Sequence, residues 1–188
     1  MAVAGAAFMA LSSAASAAFI ATFSGNDCAG VFGQNFNECK IPVNIDPNES
    51  PVIIKFDEYS AGTFGKLEIN SALFPTIDGT EFSFFFSFPD GSLGEWTYTP
   101  NDDDDPGINF FVAKGGPNFN LFSVDSYEDE PWFTPLNGGG NIAGLSHLTF
   151  YDTGREPPTP PTGLPEPGTL LLLGGALAAL SLRRRFRA

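Results

Sequence analysis

The feature that most constrains this chain is a strict alternation between positions 82 and 88, where phenylalanine occupies every second position. A period of two places alternate side chains on one face of a β-strand. The next four residues, PDGS at 89–92, are typical of a turn. A second alternating segment follows, in which Trp96 and Tyr98 share a face. The two segments predict a β-hairpin.

Five further segments show short apolar alternation between turn residues. They span residues 52–57, 63–69, 108–113, 118–124 and 145–152, and no amphipathic helical pattern lies between them. About seven short strands at this spacing predict an all-β fold, an antiparallel β-sandwich or jelly-roll-like domain. We place this domain at residues 19–154.

The N-terminal residues have the composition of an export signal. Residues 2–18 carry no charge and are mostly alanine, as in an apolar signal region followed by small residues. Ala15-Ser16-Ala17 and Ser16-Ala17-Ala18 both fit the small-x-small cleavage rule, which predicts a signal peptide over residues 1–18 and a mature start near Ala18 or Phe19. The usual basic n-region is missing, which indicates an upstream start codon or a truncated chain. An Ala-rich helix packed on the domain is the alternative.

The C-terminal residues follow a different pattern. Residues 155–164 (REPPTPPTGL) form a Pro-rich linker that should be extended. Pro165-Glu166-Pro167 follows, and after it come 15 uncharged residues. We predict that they form a short transmembrane helix, since a full span of a bilayer core takes roughly 20 residues. A basic cluster ends the chain and orients that helix with its C-terminus in the cytoplasm. The cluster consists of Arg183, Arg184, Arg185 and Arg187.

This order of parts over residues 165–188 resembles the PEP-CTERM sorting signal of Gram-negative bacteria. The resemblance implies that Pro165, Glu166 and Pro167 are recognised by an exosortase, an integral-membrane cysteine protease. It further implies an exported protein, anchored in the inner membrane as a precursor and then passed to the cell envelope or an extracellular polysaccharide matrix. A C-terminal membrane anchor that is never processed is the alternative.

The charge of the chain is uneven. The whole chain has a net charge of −13, but residues 1–164 hold 21 of the acidic and 5 of the basic side chains, a net charge of −16. Phosphate backbones are bound by clustered lysine and arginine. We therefore expect no nucleic-acid partner.

Cys28 and Cys39 are predicted to form a disulfide, because an exported chain folds in an oxidising compartment. Closing this loop should contribute about 3 kcal/mol in the chain-entropy model. Zinc would need another soft ligand. His147 is the only histidine and lies more than 100 residues away.

The sequence nominates no catalytic group. His147 has no nucleophile motif to accompany it, and we interpret it as a strand histidine on a solvated face. A glycosidase needs only two carboxylates, and no particular pair stands out. We therefore predict that the protein is not an enzyme, with a secreted glycan hydrolase as the remote alternative.

Asp102, Asp103, Asp104 and Asp105 form the densest charge run. We interpret it as a solvated acidic turn, with a Ca²⁺ site as the alternative, since hard cations relieve repulsion between carboxylates. The EF-hand pattern is missing. No other cofactor is predicted.

Aromatic side chains could stack on sugar rings. Trp132, between Pro131 and Phe133 beside an acidic cluster, is the least explained of them and is the candidate for glycan contact. We predict a structural or adhesive protein of the cell surface or matrix, associated with exopolysaccharide. A carbohydrate-binding module, assisted by calcium, is the alternative.

Overall fold

The computed structural model describes residues 17–152, and these residues form two antiparallel β-sheets. The all-β prediction is confirmed. Within this range the strands are β1 (Ala18–Ser24), β2 (Val52–Ser60), β3 (Thr63–Ile69), β4 (Phe82–Phe86), β5 (Leu93–Tyr98), β6 (Phe110–Gly115), β7 (Asn118–Ser123), β8 (Glu130–Phe133) and β9 (Leu145–Tyr151). Two short helical turns, Asp27–Val31 and Phe36–Glu38, lie between β1 and β2.

The larger sheet has six strands in the order β1-β7-β6-β9-β2-β3, and the smaller has three in the order β4-β5-β8. All seven strands predicted from alternation are present, and β4 and β5 form the predicted hairpin. The sequence analysis missed β1 and β8. No helix within residues 17–152 has the length and apolar character to cross a membrane.

The two sheets enclose an aromatic core. Phe150 of β9 is fully buried, and its ring lies 4.7 Å from that of Phe82 and 4.9 Å from that of Trp96. Gly94 of β5 lies opposite Trp132 of β8, where a Cβ would overlap the indole ring. Only glycine therefore allows β5 and β8 to pack this closely.

The other face of the six-stranded sheet is covered by the disulfide loop, our name for residues 25–51. Cys28, Phe32 and Cys39 are buried here against Phe119 and Tyr151 of the sheet. Because this loop covers one face and the small sheet covers the other, the central strands β6, β7 and β9 are buried on both sides.

The remaining predicted segments fall outside the described residues. These are the signal peptide up to residue 16, the Pro-rich linker at 155–164 and the sorting signal at 165–188 with its motif and arginine cluster. Ala18, where the predicted signal ends, is the first residue of β1 and pairs with Ser123 of β7.

Candidate functional site

A polar cavity of about 360 Å³ lies between the disulfide loop and the six-stranded sheet. The loop contributes Asn26, Asp27 and Phe36, while β2, β3, β6 and β9 contribute the rest of the polar wall. Its ionisable side chains are three acids and three bases, in a domain that is otherwise strongly acidic. They are Asp27, Asp57, Glu68, Lys55, Lys114 and His147.

His147 and Asp27 form the buried centre of this cavity. Both side chains are almost fully buried, and His147 Nε2 donates to Asp27 Oδ1 at 2.9 Å. The other Asp27 oxygen, Oδ2, accepts a hydrogen bond from the Tyr151 hydroxyl at 3.2 Å. That hydroxyl also lies 3.5 Å from the sulfur atoms of Cys28 and Cys39. Tyr151 therefore joins the disulfide to the Asp27–His147 pair.

The second ring nitrogen of His147 faces another carboxylate. Its Nδ1 lies 3.7 Å from Asp57 Oδ1 on β2. Lys55, two residues before Asp57 on the same strand, donates to Asp57 Oδ2 at 2.7 Å and lies 3.9 Å from Glu68 Oε2. Acidic and basic side chains thus alternate across this face of the sheet.

Electrostatics favour the charged form of each partner. Burial alone would lower the pKa of His147, but the hydrogen bond to Asp27 and the nearby carboxylate of Asp57 outweigh it and raise the pKa overall. Burial opposes ionisation of Asp27 as well, yet its bond to His147 holds the pKa of that carboxyl well below its usual range. Interaction with His147 is also the main reason why the pKa of Asp57 is lowered. The two carboxylates therefore favour the imidazolium form of His147.

Lys114 is the exception to this pairing. Its residue is only 7% exposed, and its Nζ donates to the carbonyl oxygen of Gly116 at 2.8 Å. Among residues 17–152, no carboxylate oxygen lies within 4.0 Å of that Nζ. Burial lowers the pKa of Lys114, which the charge of Asp27 partly offsets. Lys114 thus has donor capacity that no carboxylate among the described residues uses.

The interpretation of His147 as a solvated strand residue was wrong. The residue is 4% exposed because the disulfide loop covers its face of β9. The strand pattern identified that face correctly, but a local pattern carries no information about a loop that packs on it from 120 residues away.

The proposed glycan contact of Trp132 is also contradicted. Trp132 is 1% exposed, and its Nε1 donates to the carbonyl oxygen of Gly91 at 3.0 Å. In β8 the residues alternate between buried and exposed, and Trp132 occupies an inward position. Its ring therefore packs in the core and has no free face for a sugar.

The acidic run forms a turn in which the side chain of its last aspartate accepts hydrogen bonds from backbone N–H groups at the start of the turn. Asp105 is buried, and its Oδ2 accepts backbone N–H bonds from Asn101 and Asp102 at 2.8 and 3.0 Å. Asp102, Asp103 and Asp104 are exposed. Within residues 17–152 no group of three or more His, Cys, Asp or Glu side chains is arranged to hold a metal ion. Calcium binding at this turn stays a prediction.

The predicted disulfide between Cys28 and Cys39 is confirmed. The sequence analysis considered Cys28 and His147 but missed the cavity and its other residues. A signal for two of them was available, since Lys55 and Asp57 alternate with buried Ile54 and Phe56 and so face the opposite side of the sheet. Asp27 had no such signal beyond its position next to Cys28.

Comparison with known proteins identifies one segment of the chain. Residues 164–185 match the family model for the PEP-CTERM protein-sorting motif. No curated protein and no solved structure matches the chain significantly. The chain therefore carries the sorting signal that the sequence indicated, which marks an exported protein for exosortase-dependent sorting.

Proposed function

We propose that this protein is a structural or adhesive component of the cell surface or of an extracellular polysaccharide matrix, to which the sorting signal delivers it. The observation that carries the proposal is the PEP-CTERM motif at residues 164–185, joined to an all-β domain with a disulfide. The large negative charge ahead of the signal keeps such a domain soluble and favours contact with divalent cations in a matrix.

We propose further that the domain acts by binding and not by catalysis. A general base needs a ring nitrogen with a free lone pair. In His147 one nitrogen donates to Asp27 and the other faces Asp57, so the imidazolium is favoured at both ends. This arrangement supports a structural role for the histidine.

Sorting can be tested by following the C-terminus of the exported protein. We expect the wild-type protein to lose its arginine cluster and to appear in the surface or matrix fraction. Glu166→Ala should stay in the inner membrane with an intact C-terminus, whereas Glu156→Ala, the same change in the linker, should behave as the wild type. Mass spectrometry of each fraction measures this. An intact arginine cluster on the wild-type surface protein would contradict the proposal.

A second candidate function, carbohydrate binding, is favoured by the cavity. Lys114 supplies a buried cation with spare donors, and Asn26 and Ser146 supply neutral polar groups. Phe36 adds an apolar ring to the wall. This set suits a sugar that carries a carboxylate, such as a uronic acid residue. The cavity, not Trp132, is then the glycan site.

Titration calorimetry with uronate and neutral oligosaccharides tests this candidate. We expect the wild type to bind the uronate oligomer and Lys114→Met to lose at least about tenfold in affinity, since a buried charged hydrogen bond contributes about 1.5–3 kcal/mol. Lys40→Met removes a lysine from an exposed pair with Glu49 and should bind normally. Equal affinity of all three proteins would exclude the cavity as the site.

A further inference from the structure

Glu130, the first residue of β8, carries a carboxyl group that is buried between the two sheets. It is 1% exposed and lies opposite Trp96 of β5, on the inward face of the small sheet. An ionised carboxylate in such a place is costly unless it is paired. Among residues 17–152, no lysine or histidine lies within 4.0 Å of it.

The hydrogen bond that Glu130 does make is to the main chain. The backbone N–H of Ala17 donates to its Oε2, while the buried Oε1 has no hydrogen-bond partner in the part of the chain that the structure describes. Burial raises the pKa of Glu130, although the Ala17 N–H and the nearby N–H of Ser126 oppose this, and the charge of Asp125 adds to it. Backbone N–H groups thus leave Oε1 of this carboxyl without a donor at hydrogen-bond distance among the described residues.

The nitrogen of Ala17 is held in a defined position. Ala18, the next residue, pairs with Ser123 at the start of β1, and Ala17 itself packs against the core between the sheets. The contact with Glu130 therefore joins the edge of the large sheet to an edge strand of the small sheet. A charge placed on this nitrogen would face the buried carboxylate.

The sequence before Ala17 allows such a charge to form. Ala14-Ala15-Ser16 satisfies the small-x-small rule as well as the two cleavage sites considered above. Cleavage at either of those sites would remove Ala17 and leave Glu130 without the partner that it has in the structure. Cleavage after Ser16 would keep it.

We propose that export processing cuts the Ser16–Ala17 bond and that the new α-ammonium of Ala17 forms a buried ion pair with Glu130. A signal peptidase adds water across the peptide bond, so Ser16 leaves with a carboxylate and Ala17 gains an amino group that takes up a proton. The ammonium offers three donors where the amide offered one. Both carboxylate oxygens then have a donor, and the two charges compensate each other.

This pair gives Glu130 a function in the mature protein. In the precursor the carboxyl accepts from the amide of Ala17, and in the processed protein it holds the new N-terminus between the sheets. Removing one member of a buried ion pair is strongly destabilising because the other is left uncompensated. Glu130 is therefore the positioning residue for the mature N-terminus.

The N-terminus of the exported protein is the first test. The full chain is produced in a Gram-negative host, collected from beyond the inner membrane and analysed by intact mass and N-terminal sequencing. We expect a single start at Ala17. A start at Ala18 or Phe19 would overturn the proposal, since Glu130 would then lack this nitrogen.

The ion pair itself is tested by the reactivity of the α-amine. In the folded protein we expect acylation of Ala17 at pH 7 to be at least about tenfold slower than in the urea-unfolded protein, as for a pKa raised by about one unit. Glu130→Gln should restore the fast rate and lower the melting temperature. Glu128→Gln, the same change at an exposed position two residues earlier, should match the wild type.

Two outcomes would contradict the pair. One is an Ala17 amine that reacts equally fast in the folded and the unfolded wild-type protein. The other is a folded Glu130→Gln variant that keeps the slow rate. Should Glu130→Gln fail to fold, the wild-type comparison alone decides the question.

Discussion

The two faces of the six-stranded sheet are both covered, yet they are built from different chemistry. The face toward the small sheet is aromatic, with Phe111, Phe122 and Phe150 fully or almost fully buried. The face toward the disulfide loop changes along its length from apolar packing to the charged pairs around Asp27 and His147. The aromatic face depends on shape and buried area, whereas the loop face depends on each charge keeping its partner.

Removal of a central ring should have the largest effect. Phe150→Ala leaves a cavity between the sheets and should cost about 4 kcal/mol of the free energy of unfolding, measured in urea. Phe85→Ala, the same change at a side chain that is 64% exposed, should cost less than about 0.5 kcal/mol. Similar losses in the two variants would show that the aromatic face is not the main core.

On the loop face, removal of one charge should be nearly as costly. Asp27→Asn leaves His147 and Tyr151 without their buried anion and should cost about 3 kcal/mol in the same urea assay. Asp103→Asn in the exposed acidic turn serves as the control. A stability of Asp27→Asn equal to that of the control would mean that the charges contribute nothing to holding the loop.

Dependence on pH should separate the two faces of the six-stranded sheet, since its charged pairs around His147 lie on the loop face. The pKa of His147 is raised above its ordinary 6.5, so its stabilisation is complete below pH 6.5 and is lost as the pH rises through the folded value. The pKa values of Asp27 and Asp57 are lowered from 3.8, so their contribution is present above pH 3.8 and is lost as the pH falls through the folded values.

The difference in the free energy of unfolding between wild type and His147→Gln, measured in urea, reports this dependence and cancels the titrating groups that both proteins share. It should be largest at pH 5–6 and should shrink as the pH rises above 6.5, by about 1.4 kcal/mol for each unit of pKa shift. A difference that stays constant from pH 5 to 9 would show that His147 does not change charge on this face. Phe150→Ala should show the wild-type pH dependence.

The smallest effect is expected at an exposed pair. Lys40 and Glu49 lie 2.7 Å apart with about half of each side chain in solvent. Lys40→Ala should therefore cost less than about 0.5 kcal/mol, measured by urea unfolding. A loss as large as that of Asp27→Asn would mean that burial is not what makes the charges of the loop face important.

The aromatic face was largely predictable from the sequence, and the loop face was not. Alternation located the strands that carry Phe82, Trp96 and Phe150, because the apolar residues of each strand recur at every second position on the side that faces the core. The short β8 escaped because Pro131 and the acidic residues before it resemble a loop. Asp27 and His147 are 120 residues apart and meet only after the loop has packed on the sheet, so no local pattern relates them.

The disulfide loop makes completion of the fold depend on the compartment in which the protein folds. Cysteines stay reduced in the cytoplasm, so before export the disulfide loop lacks the bond between Cys28 and Cys39. With about 3 kcal/mol of stabilisation withheld, the chain should stay easier to unfold for passage through the membrane. The disulfide forms after export, in the oxidising compartment beyond the inner membrane, so the fold is completed only after the protein has crossed that membrane.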